Sequence, residues 1–277
     1  MVSEIRQMVR ALAAAPSFVI VAAITLALGL GANMTMFSVM NEIFLRPAPF
    51  VRNPAELVTV CRVEQNQSCG DWAWADYSDM RDRTTPFSDL AAYREAEMLL
   101  ETKAGVEKLS VLLVSENYFP FLGVPISTGR SFTPEEAHAN AARAVAVVSE
   151  RFCRKRFGSC TDALGKTVSL NSTPFTIIGV VPPRFHGTEL GGERDVWIPL
   201  GMERQARVLF PVMDGRLFRL LSVVGRLRRG VSRQQATDQL GGLSRWLNEA
   251  EPGGQEFRVI VYPDIRLNPG FRPEARR

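Results

Sequence analysis

The stretch "FRLLSVVGRLRRGVSRQQATDQLGGLSRWLNEAEPGGQEFRVIVYP", Phe218 to Pro263, decides how the chain is read. Its opening, "FRLLSVVGRL" (218–227), is apolar and rich in branched residues, as a buried strand requires. "GVS" turns the chain and offers Ser232 as an N-cap. Behind that cap Ala236, Leu240, Leu243 and Leu247 recur at helical spacing, so residues 233–251 form an amphipathic helix. "FRVIVYP" (257–263) returns as a strand. This β-α-β succession predicts strands lying side by side, parallel if they are neighbours in one sheet.

Working upstream, "KTVSLNSTPFTIIGVVPP" (166–183) places two alternating strands around a turn at Asn171 to Pro174, the signature of a hairpin. "AVAVVS" (144–149) is a buried strand leading into "ERFCRKRFG", a helix opened by Ser149 and closed by Gly158. Further strands are expected at "ELVTVCRV" (56–63), Leu90 to Tyr93, Met98 to Thr102, Leu109 to Val114 and "DVWIPL" (195–200). "WADYSDMRDR" (74–83) reads as a short helix with Trp74, Tyr77 and Met80 on one face. In "SENYFPFLGVP" Ser115 starts a helical turn that Gly123 and Pro125 stop, and Gly201 to Arg216 reads as a polar connection.

The N-terminal part is of another kind. From Ala11 to Asn41 no residue is charged, and "PSFVIVAAITLALGLGANMTMFSVMNEIF" (Pro16 to Phe44) holds enough apolar length to cross a bilayer, for which about 20 residues suffice. A secretory signal peptide would have a shorter apolar core, so the run reads as an uncleaved transmembrane helix whose polar end continues into water. Ala27, Gly31 and Thr35 recur at four-residue spacing, as do Gly29 and Asn33. Such a stripe lets a second helix approach closely, although small residues are also common in membrane helices generally. Three prolines in "LRPAPFVRNP" (45–54) end the helix.

Composition narrows the chemistry. The 277 residues carry a net charge of only +4, and the basic clusters "RKRF" (154–157) and "GRLRRG" (225–230) read as solvated surface rather than a nucleic-acid footprint. The four cysteines fall into close pairs, Cys61/Cys69 and Cys153/Cys160. Their spacing suits two local disulfides, hence an oxidising compartment, better than a zinc site, with four free buried thiols as the alternative. The two histidines are His138 and His186. His186 near Glu189 and Asp195 would be the start of a hydrolase site, and reads more simply as a surface loop residue. Asp76, Asp79 and Asp82 share a helical face that could attract a cation but is expected to meet water, with Arg81 and Arg83 close by. Trp72, Trp74 and Tyr77 could line a groove, and core packing is the plainer reading. No phosphate loop, nucleophile elbow or other catalytic constellation emerges, and no cofactor or metal is called for.

Several strings in order carry a resemblance: "SFVIVAAITLALGLGANMTMFSVMNEIFLRPAPF", "WADYSDMRDR", "VSENYFPFLGVPISTGRSFTPEE", "FGSCTDALGKTVSLNSTPFTIIGVVPPRF" and "VVGRLRRGVSRQQATDQL". Together they make the chain resemble the N-terminal part of MacB-like ABC transporter permeases, nearest the duplicated orphan permeases common in acidobacteria. The resemblance implies an α+β class: one N-terminal transmembrane helix, then a mixed α/β periplasmic core domain. It divides the chain into a cytoplasmic segment (1–15), the membrane helix (16–44), a porter-like part (55–116 with 217–264), an inserted β-rich lobe (117–200) and a tail (265–277) before further membrane helices. It implies a non-enzymatic, mechanical role in the bacterial inner membrane, with the N-terminus cytoplasmic and the body periplasmic. The partners it implies are a cytoplasmic ABC ATPase subunit reached through membrane helices not present in this chain, a second copy or partner permease, and lipid, with no nucleic acid. An anchored extracytoplasmic binding module working without an ATPase is the rival expectation.

Overall fold

The computed structural model describes residues 16–40, 50–64, 68–83, 86–102, 105–137, 144–183, 185, 187, 194–210, 215–216, 218–250 and 255–262. The chain divides between Arg46 and Pro47 into two units. The first contains α1 (Pro16–Met40), whose span Val19–Ser38 has the length and hydropathy to cross a membrane. The expected continuation through Phe44 lies outside the described residues.

The second unit is built on one eleven-stranded sheet. Its strands are β1 (Leu57–Val63), β2 (Cys69–Gly70), β3 (Phe87–Thr102), β4 (Gly105–Val114), β5 (Thr128–Gly129), β6 (Val145–Ser149), β7 (Thr167–Leu170), β8 (Thr173–Val181), β9 (Val196–Pro199), β10 (Ser222–Leu227) and β11 (Arg258–Tyr262). They lie in the order β11-β1-β10-β3-β4-β9-β6-β8-β5, with β2 added to β1 and β7 bridging β3 and β8. The helices are α2 (Trp74–Arg83), α3 (Tyr118–Leu122), α4 (Pro134–Ala137), α5 (Glu150–Phe157), α6 (Cys160–Ala163) and α7 (Arg233–Glu249).

Apolar side chains cover both faces, which is why so many strands read as continuous hydrophobic runs rather than alternating ones. Along β4, Val111 and Leu113 enter one core while Leu112 and Val114 enter the other. β6 and β9 divide the same way, Val196 and Ile198 facing α5 and α7's core and Trp197 the second. The second core is aromatic: Tyr118, Phe119, Phe132, Phe185 and Trp197 meet with ring centroids 5.4–6.2 Å apart. Each such ring buries about 150–250 Å², on the order of 4–6 kcal/mol of transfer free energy.

Two expectations change. The strands flanking α7 are not neighbours: β1 lies between β10 and β11, antiparallel to both. The crossover therefore skips one position, and the two strands are parallel without touching. The separate strands expected at 90–93 and 98–102 are one, because the β3–β4 register runs unbroken from Tyr93↔Val114 to Thr102↔Gly105. Between those two runs Glu95 and Glu97 point to the exposed face of the continuous strand.

The predicted helix caps are mostly as expected. Ser232 accepts from Gln235 N in a capping box, and Ser149 accepts from Phe152 N at 2.9 Å. Ser115 does not cap: its Oγ accepts from Ala92 N and donates to Asn117 Oδ1, and Asn117 takes the N-cap position of α3. On α7 the inward positions are Ala236, Leu240, Ser244 and Leu247, so Ser244 takes a place that Leu243 only partly fills. The reason is the sheet edge. β11 is an edge strand, and the outward amides of Val259 and Val261, with that of Phe257 just before the strand, donate to Ser244, Thr237 and Asn248 of α7 respectively. Polar side chains thus close an edge that would otherwise invite another strand.

Candidate functional site

The most constrained polar assembly lies where the chain enters the domain. Phe50 and Asn53 hold left-handed backbone (φ 68° and 45°), and a short turn at Pro54–Glu56 delivers the chain into β1. Left-handed conformations are costly for non-glycine residues unless their surroundings hold them. At Asn53 the holder is Arg226. From β10 its Nη1 donates to Arg52 O (2.9 Å), Asn53 O (3.5 Å) and Glu56 Oε2 (3.3 Å), while Nη2 donates to Phe121 O (2.7 Å). The guanidinium also sits 5.5 Å from the Phe121 ring centroid. Arg226 is buried, and burial pushes its pKa below the ordinary arginine value against the opposing pull of Glu56. An arginine stays cationic regardless, so its fork keeps its donors.

The β10–β3 register shifts between Arg226 and Leu227, a local irregularity at the residue that carries the fork. A second tie joins the same elements: Arg52 N donates to Leu122 O at 2.8 Å. Gly123 closes α3 with φ +78°, and a Cβ there would stand 2.6 Å from Arg52 Cβ. Only glycine satisfies both the backbone and the approach. α3 is in turn fixed to β3, since Asn117 Nδ2 donates to Asp89 Oδ1 and Leu90 O. Its Tyr118 and Phe119 are fully buried in the aromatic core. The entry segment, β10 and α3 are therefore tied together by one set of hydrogen bonds.

The other sequence candidates fall elsewhere. Cys61 is disulfide-bonded to Cys69 and Cys153 to Cys160, with Cα separations of 5.0 and 5.1 Å. The first bond fastens β2 to β1, the second α6 to α5. Asp76 does not meet water: it is buried, and Arg216 bridges it and Asp79 while Asp82 stays exposed. Arg81 pairs instead with Glu116. Trp72 and Tyr77 are core residues whose polar tips donate to Val60 O and Leu90 O, and burial pushes the Tyr77 phenol up to about 12. In "RKRF", Arg154 pairs with Glu150 and Arg156 with Glu107, whereas Arg226 of "GRLRRG" is buried. Asp195 binds Ser149 and Arg151, and His138, His186 and Glu189 lie outside the described residues. Ala27, Gly29, Gly31, Asn33 and Thr35 are exposed on α1; no atom comes within 4 Å of a Cβ placed at either glycine. Among the described residues no group of three or more His, Cys, Asp or Glu is placed to hold a metal.

Four buried arginines escaped the sequence reading, Arg62, Arg94, Arg194 and Arg226, and the signal is clearest for Arg226 and Arg94. Each of these two stands at an inward position of an alternating strand, Arg226 two residues beyond Val224 and Arg94 between Ala92 and Ala96. A lone cation at a core position is a signal the alternation itself contains.

Comparison with known proteins gives a consistent picture. A family model described as "MacB-like periplasmic core domain" matches residues 19–243. The "Macrolide export ATP-binding/permease protein MacB" of Chromobacterium violaceum is 30% identical over 115 residues, which cover 39% of this chain and 17% of that protein. The periplasmic region of MacB from Actinobacillus actinomycetemcomitans has a similar fold, with a TM-score of 0.55 at 17% identity over 78% of this chain and 92% of that one. The extracellular domain of the noncanonic ABC-type transporter YknZ from Gram-positive bacteria gives 0.54 at 15% identity, over 74% and 99%. The matched stretch spans about a sixth of the curated relatives' length, 17% in the first of them.

Proposed function

The chain belongs to the family of MacB-like periplasmic core domains, and from that premise we propose that its Arg226 junction couples membrane-helix motion to the domain in an ABC transporter permease. The observation that carries this reading is the sharing of one guanidinium between the entry segment and α3. A displacement of residues 52–56 is passed to β10 and α3 together, because one guanidinium holds all three. Such coupling needs no catalytic residue in this domain.

In this reading α1 crosses the inner membrane with the N-terminus in the cytoplasm and the body outside, where both disulfides persist. The surface with Ala27, Gly29, Gly31, Asn33 and Thr35 packs against further membrane helices of a complete permease, and lipid covers the rest. Motion originates in a cytoplasmic ABC ATPase subunit contacted through those helices, with two permease units, a homodimer or a permease pair, working together. Residues 55–116 and 217–264 form the porter-like part and 117–200 the lobe it moves.

The test is purification of the protein from its native membrane with any ATPase that accompanies it. The proposal expects ATP hydrolysis by that subunit to respond to the permease and the response to be lost in Arg226→Met. If no ATPase accompanies the intact protein, the mechanical reading fails and an anchored interaction module takes its place.

A further inference from the structure

The end of the sheet at which the chain enters carries more basic charge than its acids offset. The register brings the start of β1, the end of β10 and the start of β3 together there, with Leu57 opposite Arg226 and Leu227 opposite Phe87. The turn that follows β10 is held in place: Arg228 N donates to Pro86 O, Val231 N donates to Arg228 O, and Gly230 takes φ +81°. Arg228 Nε also donates to Phe87 O at 3.0 Å. Beyond it Arg229 and Arg233 stand exposed, and on the α3 side of the same rim Arg52 is exposed as well. Among the described residues no carboxylate pairs with Arg52, Arg228, Arg229 or Arg233.

The acids near this rim are largely engaged. Glu56 pairs with Arg226 and Glu116 with Arg81, while Asp89 accepts from Asn117 Nδ2 and Leu90 N. Asp82 stays exposed on the last turn of α2, and Arg83 follows it. The balance is positive, and like charges gathered on one rim repel unless an anionic surface meets them. An apolar group belongs to the same rim: Phe50, 45% exposed, two residues before Arg52, whose amide is tied to Leu122 O. An aromatic ring beside guanidinium groups suits the interfacial layer of a bilayer, the ring at headgroup level and the forks on phosphates. Nine residues, 41–49, separate Phe50 from α1, whose span has the composition to cross a membrane. A linker of that length reaches at most about 35 Å when fully extended.

We propose that this rim docks on the anionic headgroups of the membrane that α1 crosses, Arg229 and Arg233 meeting lipid phosphates and Phe50 entering the headgroup layer. This rests on the reading of α1 as a membrane span and is independent of coupling through Arg226, which faces the interior. The occupant is lipid because exposed arginines without acid partners carry the charge and the linker beside them leads to the apolar helix.

The test places the full chain in lipid vesicles with a quencher on the headgroups and a fluorophore at Gln234→Cys, beside the rim, or at Val106→Cys, at the opposite end of β3 and β4. Resistance to carbonate extraction is measured first; its failure removes the membrane reading itself, and not this face alone. In phosphatidylcholine mixed with phosphatidylglycerol, quenching at position 234 is expected to be several-fold stronger than in phosphatidylcholine alone, and several-fold stronger than at position 106. Each arginine near an anionic surface accounts for roughly a fivefold change in partition, so Arg229→Gln with Arg233→Gln returns the signal at 234 to the phosphatidylcholine level. Added salt weakens it in the same direction. Both arginines are exposed, so the melting temperature is unchanged in that variant, which is checked in parallel. Equal quenching in the two lipids, a signal unmoved by the arginine changes, or protection of position 234 by a protein in native membranes overturns the proposal. The signal needs no ATPase, so its loss where the ATPase response survives, or its survival where that response is lost, tells the two readings apart.

Discussion

Arg226 Nη2 and the carbonyl of Phe121 meet at 2.7 Å across 105 residues of sequence. That bond joins the end of β10 to α3, and the same guanidinium reaches back to the residues that lead into β1. Its replacement by methionine leaves the buried carbonyl of Phe121 and the carbonyl of Arg52 without this donor. A loss of about 2–4 kcal/mol is expected from the charged hydrogen bonds and the desolvated acceptors. Arg226→Lys does not restore it, since an ammonium lacks the planar fork that spans these acceptors. Chemical denaturation of both variants measures the difference.

Two glycine substitutions have opposite signs. Gly123→Ala places a Cβ 2.6 Å from Arg52 Cβ in a left-handed backbone and is expected to destabilise by on the order of 2–3 kcal/mol. Gly241→Ala on α7 meets no atom within 4 Å and is expected to stabilise by about 0.5–1 kcal/mol, the usual helix-interior gain. Thermal melts of the two variants beside wild type check both signs.

Acid stability has an identifiable contributor in Glu136. Arg130 holds its carboxyl below the ordinary 4.5 through a bidentate contact, and Thr133 N adds a further hydrogen bond. A depressed folded-state pKa contributes stability that is complete above 4.5 and is lost as pH falls through the lower folded value. Glu136→Gln therefore destabilises at neutral pH and flattens the decline of stability below that range. Asp71 has the opposite sign: burial raises its pKa against the hydrogen bond from Ser222, so its ionisation costs stability at neutral pH. Asp71→Asn should stabilise at pH 7, with the advantage vanishing in acid. Stability followed from pH 3 to 8 tests both.

The disulfides close short loops, with sequence separations of 8 and 7. Loop closure of this size contributes roughly 2–3 kcal/mol each in the chain-entropy account. Replacing either pair by serine should lower the melting temperature by about 5–10 °C for a domain of this length. Peptide mapping of protein made in an oxidising compartment should recover Cys61–Cys69 and Cys153–Cys160; four free thiols would contradict both bonds.

Local elements were legible wherever local physics decides them. Ser232 and the apolar spacing behind it announced α7, and the alternation around Asn171 announced the β7–β8 hairpin. Pairing was not legible, because β1 inserts between β10 and β11 from more than 150 residues upstream, and no local signal encodes a non-local neighbour. The joint was missed for a related reason. "GRLRRG" read as a basic cluster, yet only the alternation shared with Val224 marks Arg226 as inward while Arg229 stays exposed. Asp76 was misread likewise, since the arginine that neutralises it is Arg216 rather than its helix neighbours.

The central claim is that the entry segment and α3 move as one body through Arg226. Amide hydrogen exchange of the full chain in lipid nanodiscs, wild type against Arg226→Met, tests it most directly. The account predicts that exchange rises together in residues 50–57 and 118–124, including the Arg52 amide bound to Leu122 O, while β6, β8 and β9 keep their protection. Unchanged exchange in the entry segment, or a rise confined to β10, would contradict it.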